Sequence, residues 1–291
     1  MKAKALYAIV IILTISFAGF TPDKQLHTIE SALKDGNISC TYKVNTESPH
    51  YVRPILLTVK NRKNTALAVK IEPGQQFHPD DENYQNLIVT RESTIALRPN
   101  EQKTVEVYAM CTEAGDKAPS DEIAYKLAPL AQGNLKKTAE YISKSGSFNI
   151  TGQQAMWAVS SNRDIEEIMG PDTAETRSLQ RFIAKLTGKK IPVQNSAANY
   201  ATNYYAPPKP EVSYYGNFGM KISKPAALTI ALFNENNVVQ RELYANPAVP
   251  KGDHTFKYAF DNSVYTDEYY TIKIIVDGDI KFKRRIKMSV D

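Results

Sequence analysis

Three groups of side chains in this 291-residue chain have the types and spacing that chemistry needs. His78, Asp80, Asp81 and Glu82 crowd one polar stretch, GQQFHPDDENYQN, and a hard cation such as Ca²⁺ collects several oxygens at close range. The alternating ligands and the sixth-position glycine of an EF-hand loop are missing, so a solvated acidic loop is the stronger reading and a metal site the weaker. Cys40 and Cys111 are the only cysteines, each in an alternating strand-like run, ISCTYKV and TVEVYAMC. Paired, they would close a long loop and restrict the unfolded chain, a stabilisation on the order of 4 kcal/mol. Trp157, the single tryptophan, and Tyr200, Tyr204 and Tyr205 offer flat faces on which a glycan or a protein can stack. Trp157 is flanked by apolar neighbours in AMWAV, so core packing competes with that role.

Motifs that would mark an enzyme are missing. The chain has no G-x-S-x-G elbow, no H-E-x-x-H, no glycine-rich phosphate loop and no cysteine pair at zinc spacing. Its four histidines, His27, His50, His78 and His254, fall in four different contexts, and the adjacent carboxylates Asp80–Asp81 and Glu166–Glu167 resemble solvated surface. Two carboxyls facing each other across a sugar, as in a glycosidase, would not be visible at this level. No residue is assigned a catalytic role, and no cofactor is implied.

The ends and totals set the compartment. Lys2 and Lys4 precede the apolar run from Leu6 to Phe20, which is short for a membrane span but suits a secretory signal peptide over 1–18, cleaved after Ala18. No later run is long and apolar enough to cross a bilayer, so no membrane span is expected after cleavage. The formal charge of +5 falls to +3 without Lys2 and Lys4, too little to suggest nucleic acid. An oxidising compartment favours the Cys40–Cys111 disulfide.

These residues need elements to position them. Residues 38–112 read as five or six short strands of a β-sandwich, ISCTYKV, YVRPILLTVKN, ALAVKIEPG, NLIVTRES, STIALRPNE and KTVEVYAMC, separated by turn signals. Before them, Leu26, Ile29, Ala32 and Leu33 have the spacing of a short helix ended by Gly36. After them, 122–188 reads as helices packed on the sandwich, and 19–188 forms one domain. One helix starts near Leu127, another carries Trp157, and a third opens on Asp172 and Glu175 at capping-box spacing and stops at Gly188. Residues 189–211 lack a period and hold Pro207, Pro208 and Pro210, which marks a linker. From 212 to 291 alternating runs return, with turns at Asn234–Asn237 and Asp277–Gly278. The last run, DIKFKRRIKMSV, is a half-buried strand with a basic outer face, either a protected edge or a binding stripe.

In ALTIALFNENNVVQREL, VPKGDHTFKYAFD and DEYYTIKIIVDGDIKFKRRIKM the last 80 residues resemble the small Ig-like modules of flagellar-hook-capping and type IX sorting-domain proteins. The N-terminal part, through Leu57–Asn61, Val69–Gly74 and Gln153–Ser160, is similar to a group of exported Bacteroidota proteins of unknown function. The resemblance implies a mainly β chain with a helical subdomain and an Ig-like sandwich at each end. It also implies an exported protein in the periplasm, at the cell surface or outside the cell. The leading expectation is a non-catalytic protein whose C-terminal module serves attachment, sorting or interaction with a cell-envelope protein or glycan. A hydrolase of envelope or extracellular polymers and a carbohydrate- or cation-binding module stand as alternatives.

Overall fold

The computed structural model describes residues 26–170, 172–191, 213–261 and 265–288. The leader, most of the linker and its Tyr200, Tyr204 and Tyr205 lie outside the described residues. Within them the protein is mainly β, with four α-helices.

The first half begins with β1 (Leu26–Thr28), which pairs in parallel with β4, and α1 (Ile29–Lys34). Thr28 caps that helix by accepting the Ser31 N–H, so the helix starts later than the apolar spacing predicts, and Leu26 and His27 belong to a strand. Then come β2 (Ile38–Val44), β3 (Ile55–Asn61), β4 (Leu67–Ile71), β5 (Gln76–Pro79), β6 (Leu87–Val89), β7 (Ser93–Leu97), β8 (Gln102–Val107), β9 (Ala109–Cys111) and β10 (Tyr125–Ala128). They form three sheets, ordered β1-β4-β7, β2-β3-β8 and β10-β5-β6-β9. Strand β3 shows the expected pleat, with Ile55, Leu57, Val59 and Asn61 inward.

Two departures from expectation matter. The run around Leu127 is strand β10, not helix, because Pro129 lacks the N–H a helix needs and disfavours helical backbone before it. The helix α2 (Gly133–Ser145) starts beyond it. The run KTVEVYAMC is also not one strand. It leaves the β2-β3-β8 sheet at Val107 and joins the β10-β5-β6-β9 sheet at Ala109, with Ala109, Met110 and Cys111 all buried.

This break overturns the expected disulfide: Cys40 and Cys111 are free thiols. Counting alternate residues back from Cys111 assumes an unbroken strand. Instead Cys40 pairs opposite Val59 in one sheet and Cys111 opposite Leu87 in another.

A helix covers the β9 edge, and two more pack on that helix. Besides α2 these are α3 (Ile150–Ser160) and α4 (Thr173–Thr187). Residues 150–153 and 155–158 of α3 are buried, because sheet and helices surround it, which explains its nearly all-round apolar sequence. Gln153 takes the place of a further strand, accepting the Cys111 N–H at 2.9 Å and donating to the Cys111 carbonyl at 2.8 Å. Gly152 lets α3 approach, since a Cβ there would lie 2.0 Å from the Ser147 carbonyl oxygen. Asp172 caps α4 through the Ala174 and Glu175 N–H groups, but the Glu175 carboxylate accepts from Asn149 instead of closing the box. Gly188 ends α4 in the left-handed conformation.

The second half is built from β11 (Ser213–Ile222), β12 (Ala226–Phe233), β13 (Val239–Val249), β14 (Gly252–Asp261), β15 (Tyr269–Val276) and β16 (Asp279–Lys287). Strands β11 and β14 form a two-stranded ribbon, and the other four a sheet ordered β13-β12-β15-β16. Both faces of this sheet are covered. Leu228, Ile230, Leu232, Tyr270, Ile272 and Ile274 pack with Phe256, Tyr258 and Phe260 of the ribbon. On the opposite face Ala231, Phe233, Val239, Ile275 and Ile280 join the core of the first half. The near-continuous apolar runs of β12 and β15 follow from burial on both sides. The linker thus separates two stretches of sequence that share one core.

Candidate functional site at the seam

A group of buried ionisable and reactive side chains lies where the halves meet. The loop 45–54 fills this seam, and a buried loop must satisfy its own polar groups. Ser48 Oγ donates to the Gly278 carbonyl at 2.9 Å and accepts the Arg53 N–H at 3.1 Å, while the Ile280 N–H donates to the Glu47 carbonyl at 2.7 Å. Arg53, with a side chain only 15% exposed, bridges Glu106 in the first half and Asp279 in the second, at 2.8 and 2.6 Å. The same guanidinium donates to the Asp277 carbonyl in the tight turn between β15 and β16.

His50 is the centre of the seam. Its ring lies 6.1 Å from Trp157, 5.2 Å from Tyr51 and 6.2 Å from Phe233, centroid to centroid. The Val239 N–H donates to His50 Nε2 at 3.0 Å, so that nitrogen is an acceptor and the ring proton sits on Nδ1. Nδ1 in turn faces Cys111 Sγ at 3.2 Å. Burial holds the imidazole down to about 3, and the charge of Lys273 adds to the effect. A cysteine nucleophile needs the reverse arrangement, with a lone pair facing the thiol to take its proton. Here the nitrogen facing the thiol already carries a proton, and burial, then Glu113, pushes the thiol well up. The pair is a hydrogen-bonded joint and not an activated nucleophile.

Lys273 is the second unusual group. It occupies the middle of β15, is 4% exposed, lies 4.0 Å above the Phe233 ring and donates to Asn237 Oδ1. Burial lowers its amine to about 7, with Lys283 contributing repulsion. On β13 of the same sheet the half-buried Glu242 is pushed up to about 7 by burial and then by Glu175. Burial keeps the Lys273 amine from a substrate. Surface grooves of about 330 and 410 Å³ lie elsewhere. Lys70, Glu72, Glu92 and Lys136 line the first, and Tyr141, Asp172, Glu175 and Ser178 the second.

The residues singled out by sequence are scattered. Trp157 is 2% exposed in the seam, so its faces pack on His50 and core side chains and present nothing to a sugar. His78 lies on β5 opposite Lys126. Asp80 accepts the Ala124 N–H at 3.2 Å, and Asp81 accepts from the Asn83 backbone and side chain, bonds that hold its carboxyl below the usual range. Their oxygens are spent on shaping the loop, and the described residues contain no group of three side chains suited to a metal. His50, Lys273 and Arg53 were not singled out. The signal for Lys273 was its place as the one charge inside YYTIKIIV, where an unpaired cation interrupts a run buried on both faces.

No protein-family model matches the chain, and no curated protein matches it significantly. Among solved structures, a selenomethionine-labelled β-glucosidase from Kluyveromyces marxianus is similar at 9% identity over 81% of this chain, with a TM-score of 0.21. The chain spans 44% of that enzyme's length, and a likeness this slight carries no argument about fold or activity.

Proposed function

We propose that this is an exported, non-catalytic β-scaffold protein, with an Ig-like sandwich in each half, that works by binding a cell-envelope partner at the periplasmic or outer surface. The observation that carries the reading is the use of the reactive groups. His50 and Arg53 join the halves directly, through Val239 and Asp279, while Cys111 and Lys273 are held within their own halves by His50 and Asn237, so none of the four is left free for chemistry. A joint built this way serves rigidity, which a binding surface needs and a lone module on a linker lacks. The basic leader-like start and the resemblance of both halves to exported proteins support the compartment.

Fractionation of cells producing the full chain, with mass spectrometry of the mature N-terminus, tests this. The expected result is cleavage after Ala18 and saturable binding of the purified mature chain to envelope fractions. Cytoplasmic residence with an intact leader, or turnover of envelope polymers by the purified chain, would overturn it.

A further inference from the structure

We infer that the free edge of β16, from Lys281 to Lys287, is an acceptor for an extended acidic segment of a partner protein. The inference rests on the reading of the chain as a binding protein and names the chemistry of its partner.

Strand β16 is an outermost strand of its sheet, paired with β15 on one side and with no strand on the other among the described residues. Its first open-edge position is already used by the fold. The Ile280 N–H points away from β15 and donates to the Glu47 carbonyl at 2.7 Å, so a turn of the loop 45–54 meets this edge through one backbone bond. That contact ends there and the rest of the strand stays uncovered. A β-bulge between Ile274 and Ile275 makes this division, turning Ile280 into the seam while the following residues stay in solvent.

The uncovered part is strongly basic. Lys281, Lys283, Arg284, Arg285 and Lys287 are all exposed, together with Phe282 at 47%. Lys281 pairs with Asp279, Lys287 pairs with Glu268, and Arg285 stacks over Tyr269 at 3.9 Å. Lys283 and Arg284 have no carboxylate partner among the described residues, and Lys283 faces the like charge of Lys273 instead. Lysines along an edge repel a second copy of the same edge, which excludes self-pairing. The same cations attract a strand of opposite charge, whose backbone would bond the edge while its carboxylates meet Lys283, Arg284 and Arg285 on alternate faces. Phe282 gives such a strand one apolar anchor between the charges.

The test is fluorescence anisotropy of the full mature chain with a short labelled peptide alternating glutamate and valine. Controls are the same peptide N-methylated at alternate amides, a lysine–valine peptide, anionic phosphatidylglycerol vesicles, and soluble polyglutamate. The expected result is binding of the glutamate peptide only, weakened roughly tenfold or more by Lys283→Glu with Arg285→Glu and less by Phe282→Ala, with cooperative melting retained in each variant. Equal binding of the N-methylated peptide, or equal competition by vesicles or polyglutamate, would show charge without strand addition and overturn the inference. Envelope binding measured in parallel separates the two readings. A charge-reversed chain that keeps full envelope binding while no peptide binds overturns only the β16 site. A native chain that binds neither overturns both.

Discussion

The two faces of the β13-β12-β15-β16 sheet are made by the same strands and differ in kind. The face against the β11–β14 ribbon is apolar and aromatic, with cross-strand ring pairs such as Phe218–Phe256 and Tyr214–Phe260 in the ribbon at 5.1 and 5.3 Å. The face against the first half mixes Phe233, Val239 and Ile275 with His50, Lys273 and the Arg53 bridge. Apolar packing tolerates sliding and repacking, whereas directional bonds to buried polar groups permit one arrangement and penalise the rest. The ribbon face supplies bulk stability, and the seam fixes how the halves are held.

The largest test of that difference removes the second half. A chain ending before Val212 leaves Tyr51 without Phe233 and Val52 without the Gly278 turn beside it. The expected outcome is loss of cooperative melting and strong dye binding by exposed apolar surface. A soluble first half melting as in the whole chain would make the seam an incidental contact between autonomous modules.

Point changes on the two faces sharpen the comparison. Phe233 and Ile274 are both at most 2% exposed, and truncating either to alanine is expected to cost about 3–4 kcal/mol in chemical denaturation. Their optical signatures should differ, because the only tryptophan lies in the seam beside His50. Phe233→Ala is expected to shift Trp157 emission to the red in the folded state, and Ile274→Ala to leave it unchanged. Identical spectra would mean that the faces do not act separately.

The apolar periodicity revealed most of the strands, the start and stop of α4, and the turns at Asn234–Asn237 and Asp277–Gly278, since these depend on neighbours in sequence. Legibility stopped where the cause was distant. Nothing near Tyr108 signals that the chain changes sheets there, because the strands that claim Ala109–Cys111 lie far away in sequence. Leu127 begins a helix-like spacing in sequence, while the strand that pairs with it, β5, lies in a polar stretch with the composition of a loop. The seam was least legible. His50 and Val239 are meaningful only together, and 189 positions separate them.

A smaller effect comes from the seam's charges. Between about pH 7 and its ordinary 10.5 the unfolded Lys273 keeps a proton that the folded chain has lost, so this group makes stability rise with pH across that window. Glu242 acts oppositely: between its ordinary 4.5 and about 7 the folded carboxyl keeps a proton that the unfolded one has lost, so stability falls as pH rises. His50, depressed from 6.5 to about 3, stabilises when neutral and loses that contribution as pH drops below 6.5. Lys273→Met should therefore stabilise by about 2 kcal/mol at pH 6 and progressively less toward pH 10. Denaturation midpoints across that range check the slope, and a constant offset would place the amine in solvent.

The smallest expected effect is none. Cys111 is fully buried and its thiol meets His50, while Cys40, half-buried beside Tyr42, is pushed up to about 11 by burial. Reducing agent should leave the melting temperature unchanged, and alkylation of the folded chain should mark Cys40 slowly and Cys111 only after unfolding, read by mass spectrometry. A Cys40–Cys111 bond would instead make the chain lose on the order of 4 kcal/mol on reduction. It would also pull Sγ of Cys111 away from His50 and leave the Nδ1 proton without that partner.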